Sequence, residues 1–179
     1  MVEPMPTIGV AVAVPEPYDE ELRHHRASFG DPQAEAIPTH VTLLPPTDFS
    51  IDELDDVAQR LSLVAEKNQP FEMRLRGTAT FRPVSPVVFV SLAQGISECE
   101  LLAEAVHGEI ARKELRYPYH PHVTVAHDLP DVSLDTAFES LAAYEARFSV
   151  ASFGLYVHDE SDGWVRVREF PLRGGSALA

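Results

Sequence analysis

The first half of the chain shows two kinds of hydrophobic pattern. Residues 8–14 alternate between large aliphatic and small side chains, and this period of two predicts a buried β-strand. From Ile51 to Ala65, apolar residues recur at helical spacing, which predicts a helix that opens with a capping box of Ser50 and Glu53. The predicted elements are, in order, a strand at 8–14, a short helix within 15–29, a strand at 37–46, a helix from Ser50 and a strand at 71–81.

The second half repeats this order of elements. The predicted elements are a strand at 86–92, a helix capped by Ser97, a strand at 122–127, a helix from Ser133 and a strand at 148–159. One more strand, 164–172, follows as a hairpin partner of the strand before it. The same five elements in the same order indicate an internal repeat of about half the chain.

The repeat predicts two lobes related by a pseudo-twofold axis within one bilobal domain that spans residues 1–179. We expect lobe 1 at approximately 7–81 and lobe 2 at approximately 86–159. The C-terminal strand 164–172 and a flexible tail at 173–179 complete the chain.

One motif, His-x-Thr, occupies the same place in each half. It occurs as His40-Val41-Thr42 within IPTHVTLLPP and as His122-Val123-Thr124 within YPYHPHVTVAH. Residues two apart on a strand point to the same face, so each histidine projects with its threonine. If a pseudo-twofold axis relates the lobes, the two pairs face each other across one cleft.

Two imidazoles and two hydroxyls around one point suit phosphodiester chemistry. One histidine can deprotonate the attacking oxygen while the other protonates the leaving oxygen, because histidine titrates near neutral pH. Threonine hydroxyls can donate to the non-bridging phosphate oxygens. The sequence thus predicts His40 and His122 as the catalytic acid and base, in an order left open, and Thr42 and Thr124 as phosphate-binding residues. The scheme needs no metal and no other cofactor.

The net charge of the chain limits the kinds of molecule that it is expected to bind. The chain carries 14 basic and 28 acidic residues, a net charge of −14 at pH 7, and has no run rich in lysine or arginine. A groove for long polynucleotides depends on neutralising many phosphates, so the sequence argues against one but permits a small nucleotide or an RNA end. Cys99 is the single cysteine, and no segment reads as a transmembrane helix or signal peptide. We expect a cytoplasmic monomer without membrane contact.

The paired motifs resemble those of the 2H phosphoesterase superfamily, which includes the 2′-5′ RNA ligase-like (LigT-like) proteins and the cyclic phosphodiesterases. Besides HVTL (40–43) and HVTV (122–125), the resemblance includes the strands FEMRLRGTATF (71–81) and PVVFVSL (86–92) and so covers nearly the whole chain. It implies an α+β fold with the LigT-like duplication. In that fold two pseudo-symmetric lobes, each an antiparallel sheet with helices on its outer face, face each other across a central, water-filled cleft.

The resemblance also implies a metal-independent phosphoesterase. Such an enzyme hydrolyses, or reversibly forms, a phosphodiester in a small nucleotide or RNA end, with 2′,3′-cyclic phosphates, 1″,2″-cyclic phosphates and 2′-5′ linkages as the expected substrates. Several 2′-5′ RNA ligase-like members carry arginine five residues after the second motif histidine, where this chain has His127. Because histidine lacks the permanent charge and the fork of arginine, the phosphate contact is expected to differ here.

Three further residues near the second motif are candidates for substrate binding. His120 shares a strand face with His122 if Pro121 leaves the chain extended. Tyr119 can stack on a nucleobase, and His127 ends the motif strand.

Two alternatives of another class remain open. The same cleft can grip a nucleotide or RNA-end phosphate as a non-catalytic binding module. A zinc site can instead gather the four histidines, although zinc has no use for the paired threonines; these are His40, His120, His122 and His127. ATP-dependent ligation lacks the expected glycine-rich loop and nucleotidyl-transfer lysine motif.

Overall fold

A computed structural model describes residues 5–175 of the chain. Within this range, strands and helices alternate along most of the sequence. The strands are β1 (Thr7–Ala13), β2 (His40–Asp48), β3 (Phe71–Thr80), β4 (Val87–Gln94), β5 (His122–His127), β6 (Glu145–Val150), β7 (Ser152–Asp159) and β8 (Gly163–Pro171). The helices are α1 (Tyr18–Ser28), α2 (Leu54–Lys67), α3 (Ile96–Ile110) and α4 (Asp131–Ser140). No helix within these residues is long and apolar enough to cross a membrane.

The strands form two antiparallel sheets of four. Sheet A has the order β2-β1-β7-β8, and sheet B has the order β5-β4-β3-β6. Helices α2 and α3 contact sheet A, and α4 contacts sheet B. The α+β class and the two-lobed architecture predicted above are therefore confirmed.

The predicted lobe boundaries, 7–81 and 86–159, are wrong at the third strand of each half. Strand β3 pairs with β4 and β6 in sheet B, although it belongs to the first half of the sequence. Strand β7 pairs with β1 and β8 in sheet A. The first half thus contributes β3 to sheet B, and the second half contributes β7 and β8 to sheet A, while β6 stays in sheet B. The exchange ties the two lobes into one body.

The single strand predicted at 148–159 is two strands in different sheets. The side chains buried in β6 include Phe148 and Val150, whereas those buried in β7 include Phe153 and Leu155. Burial alternates along β6, whereas four consecutive residues of β7, 153–156, are buried. The alternation of β6 therefore ends at Ala151, where the chain passes from sheet B to sheet A.

The predicted helix starts are confirmed in one case and wrong in two. Ser50 and Glu53 form the expected capping box, which opens a short 3-10 turn before α2. Helix α3 begins at Ile96 after Gly95, whose φ of 93° turns the chain, so Ser97 lies inside the helix. Helix α4 begins at Asp131, two residues before the predicted Ser133.

The predicted flexible tail begins with an attached segment. The backbone N–H of Arg173 donates to the carbonyl oxygen of Ala65, and that of Gly174 donates to the carbonyl oxygen of Asn68. These bonds hold the chain against the end of α2. Residues 176–179 of the predicted tail lie outside the described residues.

Candidate active site

The two motif strands lie next to each other. Strands β2 and β5 are edge strands of sheets A and B, and they contact each other. On each strand the residues that alternate with the motif are fully buried: Val41 on β2 and Val123 on β5 have no exposed surface. The histidines and threonines of the motif therefore point away from the core, as their spacing predicts.

His40 is held by its own backbone. Its Nδ1 atom donates a hydrogen bond of 2.7 Å to the carbonyl oxygen of Pro38. Because a carbonyl oxygen only accepts, Nδ1 carries the ring proton and Nε2 keeps its lone pair. The imidazole is thereby oriented with Nε2 as the nitrogen that is free to accept a proton.

His122 repeats this arrangement in the other sheet. Its Nδ1 atom donates to the carbonyl oxygen of His120, also at 2.7 Å. The repeat is therefore preserved in the side-chain contacts as well as in the order of elements. Each histidine can accept a proton at Nε2 or, once charged, return it there, which is what an acid–base pair requires.

Burial shifts the titration of both histidines. Loss of solvent lowers the pKa of His40 and of His122, and in each case the hydrogen bond to a backbone carbonyl partly opposes the shift. The positive charge of Arg26 lowers the pKa of His40 further. The charges of His120 and His40 do the same to His122. A positive charge on His40 thus disfavours protonation of His122.

The segment before His40 is clamped by helix α1. Thr39 is 1% exposed, its backbone N–H donates to Asp19 Oδ1 at 2.9 Å, and its hydroxyl donates to the carbonyl oxygen of Asp19 at 3.3 Å. Arg23 pairs with the same carboxylate at 3.1 Å. These contacts fix the chain on which the Pro38 carbonyl, and hence the His40 ring, depends.

Arg26 is a residue of the site that the sequence did not reveal. Its side chain is buried and pairs with Asp31, with Nη2 at 2.7 Å from Oδ2, while Nη1 donates to the carbonyl oxygen of Ile37. Sequence patterns alone do not show that a helix residue will fold back onto the following loop. The pair holds the loop that leads into β2.

A cavity of about 610 Å³ opens beside the motif residues. Its wall includes His40, Thr42 and Thr124, so three of the four motif side chains, drawn from both sheets, share one space. The remaining side chain, His122, packs against Phe81 and Phe89, with ring centroids 4.9 and 5.2 Å apart. The structure therefore gathers His40, Thr42 and Thr124 around one cavity and places the ring of His122 against two phenylalanines.

The three additional candidates have separate surroundings. His127 lines the cavity and pairs with Asp128, with Nε2 at 3.2 Å from Oδ2. His120 is exposed and lies 6.4 Å from the His122 ring. The predicted stacking role of Tyr119 is not supported, because its hydroxyl donates to the carbonyl oxygen of Thr42 at 2.8 Å and its ring packs against the core.

The histidines proposed for zinc do not form a metal site. Among residues 5–175, no group of three or more histidine, cysteine or acidic side chains has a geometry that could hold a metal ion. His127 instead pairs with Asp128.

The comparisons with known proteins agree with this geometry. The sequence model of the 2′-5′ RNA ligase superfamily matches residues 14–162. The chain belongs to the 2′-5′ RNA ligase superfamily. Among relatives in sequence, a Bacillus cytotoxicus protein with a provisional phosphoesterase name is 26% identical over 148 residues, which cover 82% of this chain and 86% of that protein. A Bacillus cereus protein with the same kind of name is 29% identical over the same shares of both chains.

Solved structures place the chain in the LigT-like fold of this superfamily. Escherichia coli LigT in its apo form matches with a TM-score of 0.69 at 21% identity, over 95% of this chain and 99% of LigT. TT0787 of Thermus thermophilus matches with a TM-score of 0.64 at 22% identity, over 94% of this chain and 98% of that protein. LigT has also been solved with 3′-AMP, and that structure matches at 19% identity. Family and fold together support an enzyme of the phosphoesterase type.

Proposed function

We propose that this protein is a metal-independent 2H phosphoesterase that hydrolyses, or reversibly forms, a phosphodiester in a small nucleotide or RNA end. The expected substrates are 2′,3′-cyclic phosphates, 1″,2″-cyclic phosphates and 2′-5′ linkages. The observation that carries this proposal is the matched pair of contacts at His40 and His122, which leaves Nε2 of each ring available for proton transfer.

Hydrolysis of a cyclic phosphate would proceed by one displacement at phosphorus. The neutral histidine takes a proton from water at Nε2 as the water oxygen bonds to phosphorus. The bond from phosphorus to one ribose oxygen breaks, and the protonated histidine returns a proton to that oxygen from its own Nε2. The product is a phosphomonoester, and the pair ends with its proton exchanged between the two rings.

Thr42 and Thr124 would stabilise the charge that accumulates on phosphorus-bound oxygens. Both side chains line the cavity, one from each sheet. A hydroxyl that donates to a charged oxygen contributes roughly 1.5–3 kcal/mol. Few cations line this cavity, so hydroxyl donors carry more of the phosphate contact than they would in a basic groove.

The test is turnover with EDTA present on a panel of 2′,3′-cyclic nucleotides, ADP-ribose 1″,2″-cyclic phosphate and a 2′-5′-linked dinucleotide. The variants His40→Ala and His122→Ala are each expected to lose about 10²–10⁴-fold in kcat. His24→Ala is the matched control, because His24 is exposed on α1. Full activity in the double variant His40→Ala/His122→Ala would overturn the proposal. Tight nucleotide binding by the wild type without turnover would instead support the binding-module alternative.

A further inference from the structure

The two sheets carry different side chains at equivalent positions beside the motif. In sheet A, Thr42 pairs with Ala11 on the neighbouring strand β1. In sheet B, Thr124 pairs with Phe89 on the neighbouring strand β4. Paired residues of an antiparallel ladder point to the same face, so Ala11 and Phe89 each stand next to a motif threonine on the cleft side. The repeat thus places a methyl group in one lobe where the other has a phenyl ring.

This difference leaves open space on one side of the site. Over sheet A, the cavity of about 610 Å³ includes Gly9 and Ala11 in its wall. Over sheet B, the rings of Phe89 and Phe81 lie 4.5 Å apart and pack against His122. A volume of this size is typical of pockets that enclose a small organic ligand. The open space therefore extends over sheet A beside His40, and Thr124 and His127 of sheet B also line it.

Two aromatic side chains form a wall of the same cavity. Trp164 and Tyr156 both line it. The indole of Trp164 lies against Gly9, where an added Cβ would stand 3.4 Å from Cζ3. Tyr156 lies across Gly154, where an added Cβ would stand only 2.8 Å from the tyrosine ring. Both rings are thus packed in place on backbone that lacks side chains, and they need little rearrangement to bind a ligand.

We propose that this cavity is a nucleoside subsite, in which a nucleobase stacks on Trp164 while its phosphate lies at the His-Thr pairs. Aromatic stacking is the usual way in which proteins hold an unpaired base. The group esterified to the other oxygen of the phosphodiester faces Phe81 and Phe89 over sheet B. We therefore expect this group to be small or to extend into solvent. This inference rests on the proposed function and narrows its substrate class to phosphodiesters with a single enclosed nucleoside.

The test uses Trp164 as its own reporter, because it is the only tryptophan of the chain. Wild-type protein is titrated with 2′-AMP and 3′-AMP, and with ribose 5-phosphate as the probe that lacks a base. Both nucleotides are expected to quench the fluorescence, whereas ribose 5-phosphate is expected to leave it unchanged. Equal quenching by all three, or nucleotide binding measured by calorimetry without quenching, would contradict base stacking. The readout is binding, so this inference and the catalytic proposal can fail separately.

Two substitutions test the same subsite by calorimetry. Trp164→Ala is expected to weaken 3′-AMP binding by about 5- to 100-fold, whereas Trp164→Phe retains most of the affinity. Ala11→Phe, which copies the residue of sheet B, is expected to abolish binding by filling the cavity. Val167→Ala is the control, because Val167 is exposed on the same strand as Trp164. Unchanged affinity in Trp164→Ala would overturn the inference even if Ala11→Phe failed to fold.

Discussion

The hydroxyl of Tyr119 donates a hydrogen bond of 2.8 Å to the carbonyl oxygen of Thr42. This bond joins the segment that leads into the second motif to the strand that carries the first. It crosses from one half of the repeat to the other, beside the contact between β2 and β5. The bond allows Tyr119 to position the two motif strands relative to each other.

We expect Tyr119→Phe to lower the free energy of unfolding by about 0.5–1.5 kcal/mol, because one hydrogen bond is lost while the ring still packs. Urea denaturation measures the change. Tyr117→Phe is the matched control, since Tyr117 is exposed and its ring lies near the Arg116 guanidinium, a contact that phenylalanine keeps. Equal stability of the two variants would show that the Tyr119–Thr42 bond contributes nothing to folding.

The chain has a buried ion pair, Arg26–Asp31, that can be compared with an exposed one, Arg60–Asp56. Arg26→Met leaves the carboxylate of Asp31 buried without its cation, so we expect a loss of about 3–5 kcal/mol in unfolding free energy. Arg60→Met removes an exposed pair with Asp56 and is expected to cost about 0–1 kcal/mol. Denaturant titration of the two variants measures both changes in unfolding free energy.

The double variant Arg26→Met/Asp31→Asn tests whether the unpaired carboxylate of Asp31 causes the loss of stability. It is expected to recover part of the loss, because the neutral amide no longer needs a cation. A double variant as unstable as Arg26→Met would point to packing of the guanidinium, rather than its charge, as the stabilising contribution.

The pH dependence of activity follows from the burial of His40 and His122. Their pKa values both lie below the ordinary 6.5, and the proposed mechanism needs one ring protonated and the other neutral. We therefore expect a bell-shaped profile of kcat/KM whose maximum lies on the acidic side of pH 6.5. Steady-state rates across the pH range, at constant ionic strength, measure it. A rate that rises to a plateau in alkaline buffer would rule out a protonated histidine as the acid.

The same burial makes stability depend on pH. The unfolded chain protonates His122 near 6.5, whereas the folded chain does so only at lower pH, so the unfolded state binds more protons in between. The contribution of neutral His122 to the free energy of unfolding is thus fully present above about pH 6.5, and it is lost as the pH falls through the lowered pKa. His122→Gln is expected to show a smaller loss between neutral and acidic buffer, measured by urea denaturation. His24→Gln, a change at an exposed histidine, should keep the wild-type loss; an identical loss in His122→Gln would refute the linkage.

Much of the site could be predicted because its signals are local. Strand periodicity places His40 with Thr42 and His122 with Thr124, and the repeat places the two pairs in equivalent positions. The Ser50 cap is equally local, since its partner lies within one turn. These features need no knowledge of which strands become neighbours.

The rest depends on contacts that are distant in sequence. Trp164 reaches the cavity only because β7 pairs with β1, which brings β8 and its indole next to Gly9. Nothing in the period-two pattern of a strand states which sheet it joins, so the exchange of β3 and β7 was not predictable from pattern alone. The break at Ala151 was readable from the sequence, because Phe, Val and Leu residues change from even positions (148 and 150) to odd positions (153, 155 and 157) across it.

His127 provides the last prediction, since several superfamily members carry arginine at this position. Its Nε2 lies 3.2 Å from Asp128 Oδ2, and both residues line the cavity with Thr124. His127→Arg adds a permanent cation there, so we expect KM for an anionic substrate at neutral pH to fall by about two- to fivefold at low salt. The gain should shrink as salt is added, because more than half of the His127 side chain is exposed. His24→Arg makes the same charge change on α1 and should leave KM unaltered; an equal fall in both variants would show a general effect of net charge rather than a contact in the cavity.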